Sequence, residues 1–140
     1  MIDHGDSRLL ILGTVLFLFG LLTGLALPVL KNQRMGLSAH LVGVQHGMVL
    51  WILGLVVPGL APASAGLHQT MVWSLVLGLY GLWLAMLLAA IWGASKALPM
   101  AGAGHSASPA REGLVAGLVY LPATLIVLGT VLLLWRQLGL

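Results

Sequence analysis

The sequence contains no cysteine, and only 6% of its 140 residues are charged. Without cysteine there is no disulfide framework, no thiolate metal site and no CxxCH motif for covalent haem attachment. A soluble domain carries about a quarter charged residues, so this chain lacks the polar surface of a water-exposed fold. Three acidic residues stand against six lysines and arginines, a small excess that indicates membrane-flanking loops and no nucleic-acid patch.

Long apolar runs take the place of the missing charge. Hydrophobic residues make up 60% of the chain, and its mean hydropathy is +1.09. Four runs, at about 9–30, 38–60, 70–94 and 113–135, are each long enough to span a hydrocarbon core of about 30 Å. Connections are short except for a Gly-, Ala- and Ser-rich loop at 95–108, and short connections make successive helices antiparallel neighbours. The predicted fold is all-α: one transmembrane domain over 1–140, an up-down-up-down bundle of four helices.

Polar residues and prolines mark the expected helix ends. Ser7 and Thr70 are predicted to cap the first and third helices, and the Ser108-Pro109 pair precedes the fourth. Pro122 lies inside the fourth run and is expected to kink that helix.

The basic residues are distributed unevenly between the two sides of the predicted bundle. The two loops on one side carry Lys31, Arg34, Lys96 and Arg111, whereas the other side has only Arg8 and Arg136. The positive-inside rule therefore puts both basic loops in the cytoplasm and both termini outside. We expect a multi-pass protein of a bacterial-type inner membrane.

Two histidines, His40 and His46, interrupt the second apolar run. An ionisable side chain within the membrane suggests a functional site, because its burial in hydrocarbon is costly. His40 is predicted to lie in the first turn of the helix, near the basic loops. His46 follows about 240° further around the helix, so the two rings cannot hold one iron from both sides within one chain. They suit a site that is shared between two chains.

The surroundings of His40 match the requirements of haem. Haem needs an imidazole for its iron, an apolar slot, and cations for its propionates, for which Lys31 and Arg34 are the candidates. The alternative is that His40 is an interfacial histidine beside ordinary topology-setting charges. For His46, the alternative is a hydrogen bond to a hydroxyl or carbonyl group of a neighbouring helix. The remaining histidines lie in polar segments or a turn and are expected to be solvated: His4, His68 and His105.

Aromatic residues of the third helix provide candidates for a pocket. The second and third helices are expected to be antiparallel around a turn near Ala65, so residues equally far from this turn lie at the same depth. Leu84 is then level with His46, and Tyr80 is level with Leu50. Tyr80, Trp83 and Met86 would then share a membrane slab with His46 and Trp51. These aromatic side chains either pack the core or line a pocket for a flat apolar molecule.

Three pairs of small residues have helix-packing spacing: Gly20/Gly24, Gly43/Gly47 and Gly113/Gly117. Most are expected only to pack the bundle, although Gly43/Gly47 flanks His46 and could form a seam between chains. Glu112 lies outside the predicted spans, so paired carboxylate chemistry in the membrane is not expected. A reactive centre in this chain would therefore be a cofactor.

The run NQRMGLSAHLVGVQHG (32–47), followed by LYGLWLAMLLAAIWGASKALPMAG (79–102), resembles hydroxylaminobenzene mutase. Through the element Ala39-His40-Leu41-Val42-Gly43 it is more distantly similar to styrene oxide isomerase. The resemblance implies a small membrane isomerase of aromatic compounds, a homotrimer with haem b between adjacent subunits and His40 as the iron ligand. Ferric iron would act as a Lewis acid while oxygen moves from the nitrogen of an aryl hydroxylamine to the ortho carbon, giving a 2-aminophenol.

The chain departs from this family pattern at two positions. The pattern has Asn where this chain has His46, and Asn in a Tyr-Ala-Asn-Trp element that here reads Tyr80-Gly81-Leu82-Trp83. His46 would therefore be a general acid/base or a sixth iron ligand. We predict His46 and Tyr80 as catalytic, with His40, Arg34, Lys31, Gly43 and Gly47 binding cofactor and Trp51, Trp83 and Met86 lining the substrate pocket. The alternatives are a non-catalytic bis-histidine b-type cytochrome, an epoxide isomerase, or a structural or transport protein without cofactor.

Overall fold

The computed structural model describes residues 6–60 and 62–139, which form helices and turns without strands. The helices are α1 (Ser7–Leu25), α2 (Gln33–Val56), α3 (Ala65–Trp92), the short α4 (Pro99–Gly102) and α5 (Pro109–Gln137). Short 3₁₀ turns follow α1 at Leu27–Val29 and α2 at Val57–Gly59. All but α4 are long and apolar enough to cross a membrane, so the predicted all-α membrane fold with four spans is confirmed.

The helices begin earlier than their apolar runs, and two predicted caps are wrong. The Asp6 carboxylate, rather than Ser7, caps α1 by accepting a hydrogen bond from the Arg8 amide at 3.0 Å. Ser64 caps α3 in place of Thr70, and its hydroxyl accepts from the Leu67 amide at 3.3 Å. The helices α1, α2 and α3 each extend back to a side chain that satisfies one of their first free N–H groups. The helix α5 begins at Pro109 as predicted, but Ser108 at its cap position makes no side-chain hydrogen bond to it.

The start of α2 changes the depth of His40. Asn32 caps α2, because its side-chain oxygen accepts a hydrogen bond from the Met35 amide at 3.1 Å. The helix therefore begins at Gln33, and His40 lies in its second turn rather than its first. At a rise of about 1.5 Å per residue, the histidine is about 10 Å below the helix start.

The helices α1 and α2 pack closely through glycines. A Cβ atom on Gly20 would lie 2.5 Å from the amide nitrogen of Val44, and one on Gly47 would lie 2.7 Å from the amide nitrogen of Phe17. Gly43 contacts Gly20 on one side and Trp83 on the other. The pair Gly43/Gly47 thus packs against helices of its own chain, so the expectation of a seam between chains at these glycines is wrong.

The remaining contacts arrange the helices side by side. α3 packs against α2, and α5 packs chiefly against α3. α5 is continuous across Pro122, and Gly81 leaves the space that the Pro122 ring fills. Buried side chains form two clusters. The cluster nearer the α2–α3 turn consists of Leu9, Leu16, Leu50, Leu53, Val57, Met71, Leu75, Val76 and Leu79. The cluster nearer the basic loops consists of Met35, Ala85, Ala89, Ala90, Ala94, Val115 and Val119.

The register between α2 and α3 differs from the predicted one by about one helical turn. His46 lies opposite Leu79 rather than Leu84, since its ring nitrogen contacts the Leu79 carbonyl group. The prediction was wrong because α3 already begins at Ala65, the residue near which the turn was predicted. Tyr80 is therefore closer to the level of His46 than the sequence indicated.

Candidate functional site

His40 is half-buried on α2 and is held by the backbone of α1. Its Nδ1 atom lies 2.8 Å from the carbonyl oxygen of Gly20. A carbonyl oxygen can only accept, so Nδ1 carries the hydrogen and Nε2 has the free lone pair of the neutral ring. The ring occupies the space that Gly24 leaves, because a Cβ atom there would lie 2.7 Å from Nδ1. The result is an oriented imidazole whose Nε2 can bind a metal.

His46 has the same arrangement on the other side of α2. Its Nδ1 atom lies 2.9 Å from the carbonyl oxygen of Leu79 on α3, so Nδ1 donates and Nε2 is again the acceptor. This is the contact to a neighbouring helix that the sequence left open as an alternative. The two histidines therefore face different helices of the chain, as their predicted 240° separation requires.

Tyr80 is anchored to α1 by its hydroxyl group, which donates to the carbonyl oxygen of Leu12 at 2.6 Å. The side chain is half-buried and lies one residue beyond Leu79, the hydrogen-bond partner of His46. Its phenolic oxygen retains lone pairs that can accept a hydrogen bond.

The two predicted pocket tryptophans lie in different grooves. Trp51 stacks on Phe17 with ring centroids 4.9 Å apart and donates its indole N–H to Thr14. It follows His40 by three turns, about 20° away around α2, so both residues belong to the outer surface of the α1–α2 pair. Trp83 instead stacks on Phe19 at 5.2 Å and donates to the Thr23 hydroxyl, between α1 and α3.

Trp83 and Met86 line two different apolar grooves. An open groove of about 240 Å³ between α1 and α3 is lined by Phe19, Leu22, Thr23, Ala26, Trp83 and Leu87. Met86 lines another of about 360 Å³, formed with Ala97, Leu98, Pro99, Met100 and Ala101 of the third loop. Within one chain the structure therefore does not bring Trp51, Trp83 and Met86 together, and their role as one pocket stays a prediction.

The candidate propionate-binding residues contact the third loop. Lys31 donates through Nζ to the carbonyl oxygens of Trp92 at 3.1 Å and Ser106 at 3.3 Å. Arg34 donates to the carbonyl oxygen of Ala103, and the Arg111 guanidinium lies 5.4 Å from the centre of the Trp92 ring. The basic residues do gather at one end of the bundle, and the cytoplasmic location of that end stays a prediction.

Two polar residues that the sequence did not single out as functional fix this loop. Asn32 is fully buried and donates to the carbonyl oxygen of Ala101 at 2.9 Å while capping α2. Glu112 is 4% exposed, in the first turn of α5 rather than outside the helices. Its carboxylate accepts from the backbone amides of Ser95, Lys96 and Ala107 at 3.0–3.1 Å. A lone acid among apolar helices was the available signal for this role.

The other histidines are only partly as expected. His68 is half-buried, and its Nδ1 atom lies 3.1 Å from the guanidinium of Arg136, so its ring is only partly solvated. His105 is also half-buried and contacts the carbonyl oxygen of Lys31 at 3.2 Å, which ties the third loop to the start of α2. His4 lies outside the described residues.

Comparison with known proteins identifies the family. The profile of the styrene oxide isomerase family matches residues 6–138. Hydroxylaminobenzene mutase HabB of Ectopseudomonas oleovorans is 49% identical to this chain over 110 residues. The match covers 78% of this chain and 66% of HabB, which is just under two thirds of that relative. HabA of the same organism is 45% identical over 109 residues, 77% of this chain and 80% of HabA. No solved structure matches the chain significantly. The chain belongs to the styrene oxide isomerase family, which confirms the predicted resemblance.

Proposed function

We propose that this chain is a haem b-dependent membrane isomerase that rearranges an aryl hydroxylamine to the corresponding 2-aminophenol. The reaction class is supported by the family and by the names of two relatives, both hydroxylaminobenzene mutases. The structural observation that carries the cofactor assignment is the contact between His40 Nδ1 and the Gly20 carbonyl oxygen.

The geometry of His40 fits an iron ligand. Histidines that bind metals almost always donate their second ring N–H to a carbonyl or carboxylate group, which fixes the tautomer and raises the basicity of the ligating nitrogen. His40 satisfies this condition through Gly20, and its Nε2 makes no hydrogen bond to any residue in 6–60 or 62–139. Haem would be held by His40, with its propionates on Arg34 and Lys31. Arg34 uses one of its five N–H donors on Ala103 and keeps the others for a carboxylate.

The rearrangement needs no external oxidant or reductant. The N–O bond breaks, a C–O bond forms at the ortho carbon, and one proton moves from that carbon to nitrogen. Bound ferric haem would supply a Lewis acid for the oxygen that leaves nitrogen. His46 would accept the ring proton at Nε2, the nitrogen that its bond to Leu79 leaves free, and return it to the amine. Tyr80 would accept a hydrogen bond from the substrate at its phenolic oxygen.

The site is completed between two chains in this proposal. His40 and Trp51 lie on the outer surface of the α1–α2 pair, whereas His46 contacts α3 and Trp83 lies between α1 and α3. One chain therefore cannot present all of these groups to one small aromatic molecule. A homotrimer with haem between adjacent copies would allow His40 of one chain and the aromatic groove of another to approach the same ligand.

A second candidate function is a b-type cytochrome with two histidine ligands. It is favoured by one observation: His46 has its Nδ1 held by a carbonyl group in the same way as His40. Both Nε2 atoms have the lone pair that iron binds. In this arrangement, His46 of a second copy would close the position that a substrate needs.

The visible spectrum of the purified protein, with and without phenylhydroxylamine, tests these proposals. The isomerase should show a ferric haem band that shifts with substrate, and product analysis should find 2-aminophenol; styrene oxide, assayed in parallel, tests the epoxide reaction. A low-spin spectrum that resists added imidazole would support the cytochrome and overturn the isomerase. Protein that stays colourless after expression with ample haem would overturn both.

A matched pair of variants tests the axial ligand. His40→Ala should lose haem, while His105→Ala, which changes a histidine at the basic end of the molecule, should retain it. Full haem loading of His40→Ala would remove the assignment of His40, whatever reaction the protein catalyses.

A further inference from the structure

The outward surface of α5 carries a polar group at mid-helix. Tyr120 is 64% exposed, eleven residues after the start of a 29-residue helix that spans the membrane. Its hydroxyl group forms no hydrogen bond within the part of the chain that the structure describes. A phenol without a partner is costly in hydrocarbon, because no water is present to satisfy it.

A second such group lies on the outward surface of α2. Gln45 is exposed between Leu41, Met48 and Ile52, which are 49%, 41% and 59% exposed. Its side-chain amide makes no hydrogen bond to the described residues. Gln is one of the side chains that join helices in membranes through interhelical hydrogen bonds.

The two groups lie at the same depth. The depths of residues on α2 and α5 can be compared because both helices contact neighbouring positions of α3. His46 of α2 contacts Leu79, and Pro122 of α5 fills the space left by Gly81. Gln45 and Tyr120 are the near neighbours of His46 and Pro122, so they lie within about one helical turn of the same level. Both helices also begin at the basic end of the molecule, so they run in the same direction.

These groups point away from each other within one chain. Tyr120 lies about 200° around α5 from Pro122, the residue that packs on α3, and Gln45 lies about 100° around α2 from His46. Only 17% of the most apolar stretch of α5 is buried within the chain. The outward surface of α5 therefore has room for another helix.

Glycines on this surface permit a close approach. Gly113 and Gly117 precede Tyr120 by seven and three residues, which places them on its side of α5. A Cβ atom on either glycine would have no other atom within 4 Å, so they do not pack the chain in which they lie. Small residues at this spacing let a second helix backbone come close.

We infer that α2 of one copy of this chain packs against α5 of the next copy, with the Gln45 amide hydrogen-bonded to the Tyr120 hydroxyl. The amide and the phenol can each donate and accept, and copies inserted with one orientation bring these parallel helices together at one depth. Because the two surfaces differ, the contact is heterologous and forms a ring if its rotation closes. The inference rests on the homo-oligomer part of the proposed function and does not require haem or catalysis.

Cysteine cross-linking tests the contact against a background that has no natural cysteine. Two differently tagged chains, one carrying Gln45→Cys and the other Tyr120→Cys, are co-expressed and treated in native membranes with a short, membrane-permeable bis-maleimide. A glutamine and a tyrosine joined by a side-chain hydrogen bond hold their Cβ atoms further apart than the roughly 3.5–4.5 Å of a disulfide, but within reach of such a linker, so the mixed dimer should form in high yield. The matched control pairs Tyr120→Cys with Leu18→Cys, whose side chain is 50% exposed on α1. A mixed yield no higher than this control would overturn the inference, as would a Gln45→Cys or Tyr120→Cys chain that cross-links preferentially with itself.

Gly117→Leu provides a second readout that unfolding of the chain cannot explain. No atom lies within 4 Å of the added Cβ, and leucine favours a helix more than glycine, so the fold of a single chain should persist. Sedimentation in detergent should show a smaller assembly, while Gly66→Leu in the first turn of α3 should leave it unchanged. An unchanged assembly in Gly117→Leu contradicts the contact. Both readouts can be made on colourless, inactive protein, so they are distinct from a failure of the proposed reaction.

Discussion

The Nδ1 atom of His40 on α2 lies 2.8 Å from the carbonyl oxygen of Gly20 on α1, so one helix orients the imidazole of the other. This contact depends on the glycines of α1. Gly20 brings the backbones of the two helices together, and Gly24, one turn later, leaves space for the ring itself. The Gly20/Gly24 pair therefore serves both helix packing and the orientation of a candidate ligand.

Gly24→Ala tests this orientation without touching His40. The added Cβ would lie 2.7 Å from Nδ1 and 3.0 Å from Cε1, so the ring must move and its bond to Gly20 must weaken. Loss of such a partner to a metal-binding histidine typically costs about 10–100-fold in affinity, and we expect that decrease in haem titrations followed by visible absorbance. Gly66→Ala, which meets no atom within 4 Å, is the control. Haem binding as tight as that of the unaltered chain would mean that the orientation of His40 is irrelevant to the cofactor.

Glu112→Ala should loosen the third loop. The carboxylate accepts from three backbone amides at Ser95, Lys96 and Ala107, and alanine would leave them without these bonds. Thermal unfolding should begin several degrees lower, and limited proteolysis should cut within 95–108. Glu112→Gln should have a smaller effect because its amide oxygen still accepts. Ser106→Ala is the control, since Lys31 contacts only the backbone carbonyl group of that residue. Equal resistance of all three variants would show that Glu112 does not hold the loop.

Tyr80→Phe separates a structural role from a chemical one. It removes the bond to the Leu12 carbonyl oxygen, and such bonds between membrane helices contribute about 0.6 kcal/mol on average. A structural hydroxyl would therefore change stability slightly and activity little, whereas the proposed hydrogen bond to the substrate predicts a fall in kcat of about tenfold. Thr130→Val removes a comparable hydroxyl-to-carbonyl bond near the C-terminal end of α5 and should leave kcat unchanged. Comparable kcat values for the two variants would remove Tyr80 from the catalytic residues.

The sequence alone was sufficient for the four spans because each apolar run is long enough to cross a membrane. It did not fix the ends of the helices, since a cap depends on which polar side chain reaches a free amide. Asp6 and Ser64 do so, whereas the predicted Ser7 and Thr70 lie within helices. An error of five residues at the start of α3 was then sufficient to misplace Leu84 at the level of His46.

The partners of polar side chains were harder to predict because most are backbone carbonyl groups. Gly20, Leu79 and Leu12 accept from His40, His46 and Tyr80, and no property of an accepting residue's side chain marks it in the sequence. The separation of the two histidines was predictable because it follows from helix geometry alone. The positive charges of Lys31 and Arg34 led to the prediction that these residues bind the propionates of a cofactor. In the structure, both side chains donate hydrogen bonds to backbone carbonyl groups.

His46→Asn distinguishes the two proposed functions at the position where this chain departs from its family pattern. An asparagine amide can still donate to the Leu79 carbonyl oxygen, but it offers no nitrogen comparable to Nε2 as an iron ligand or proton acceptor. In the isomerase, the haem spectrum should stay unchanged while turnover of phenylhydroxylamine falls by about 100-fold, the contribution of a general base. In the cytochrome, the low-spin spectrum should become high-spin because one axial ligand is lost. His105→Asn controls for the loss of an imidazole at the basic end of the molecule. If the variant keeps both its spectrum and its turnover, His46 serves only to join α2 to α3, and the proton must be moved by another group.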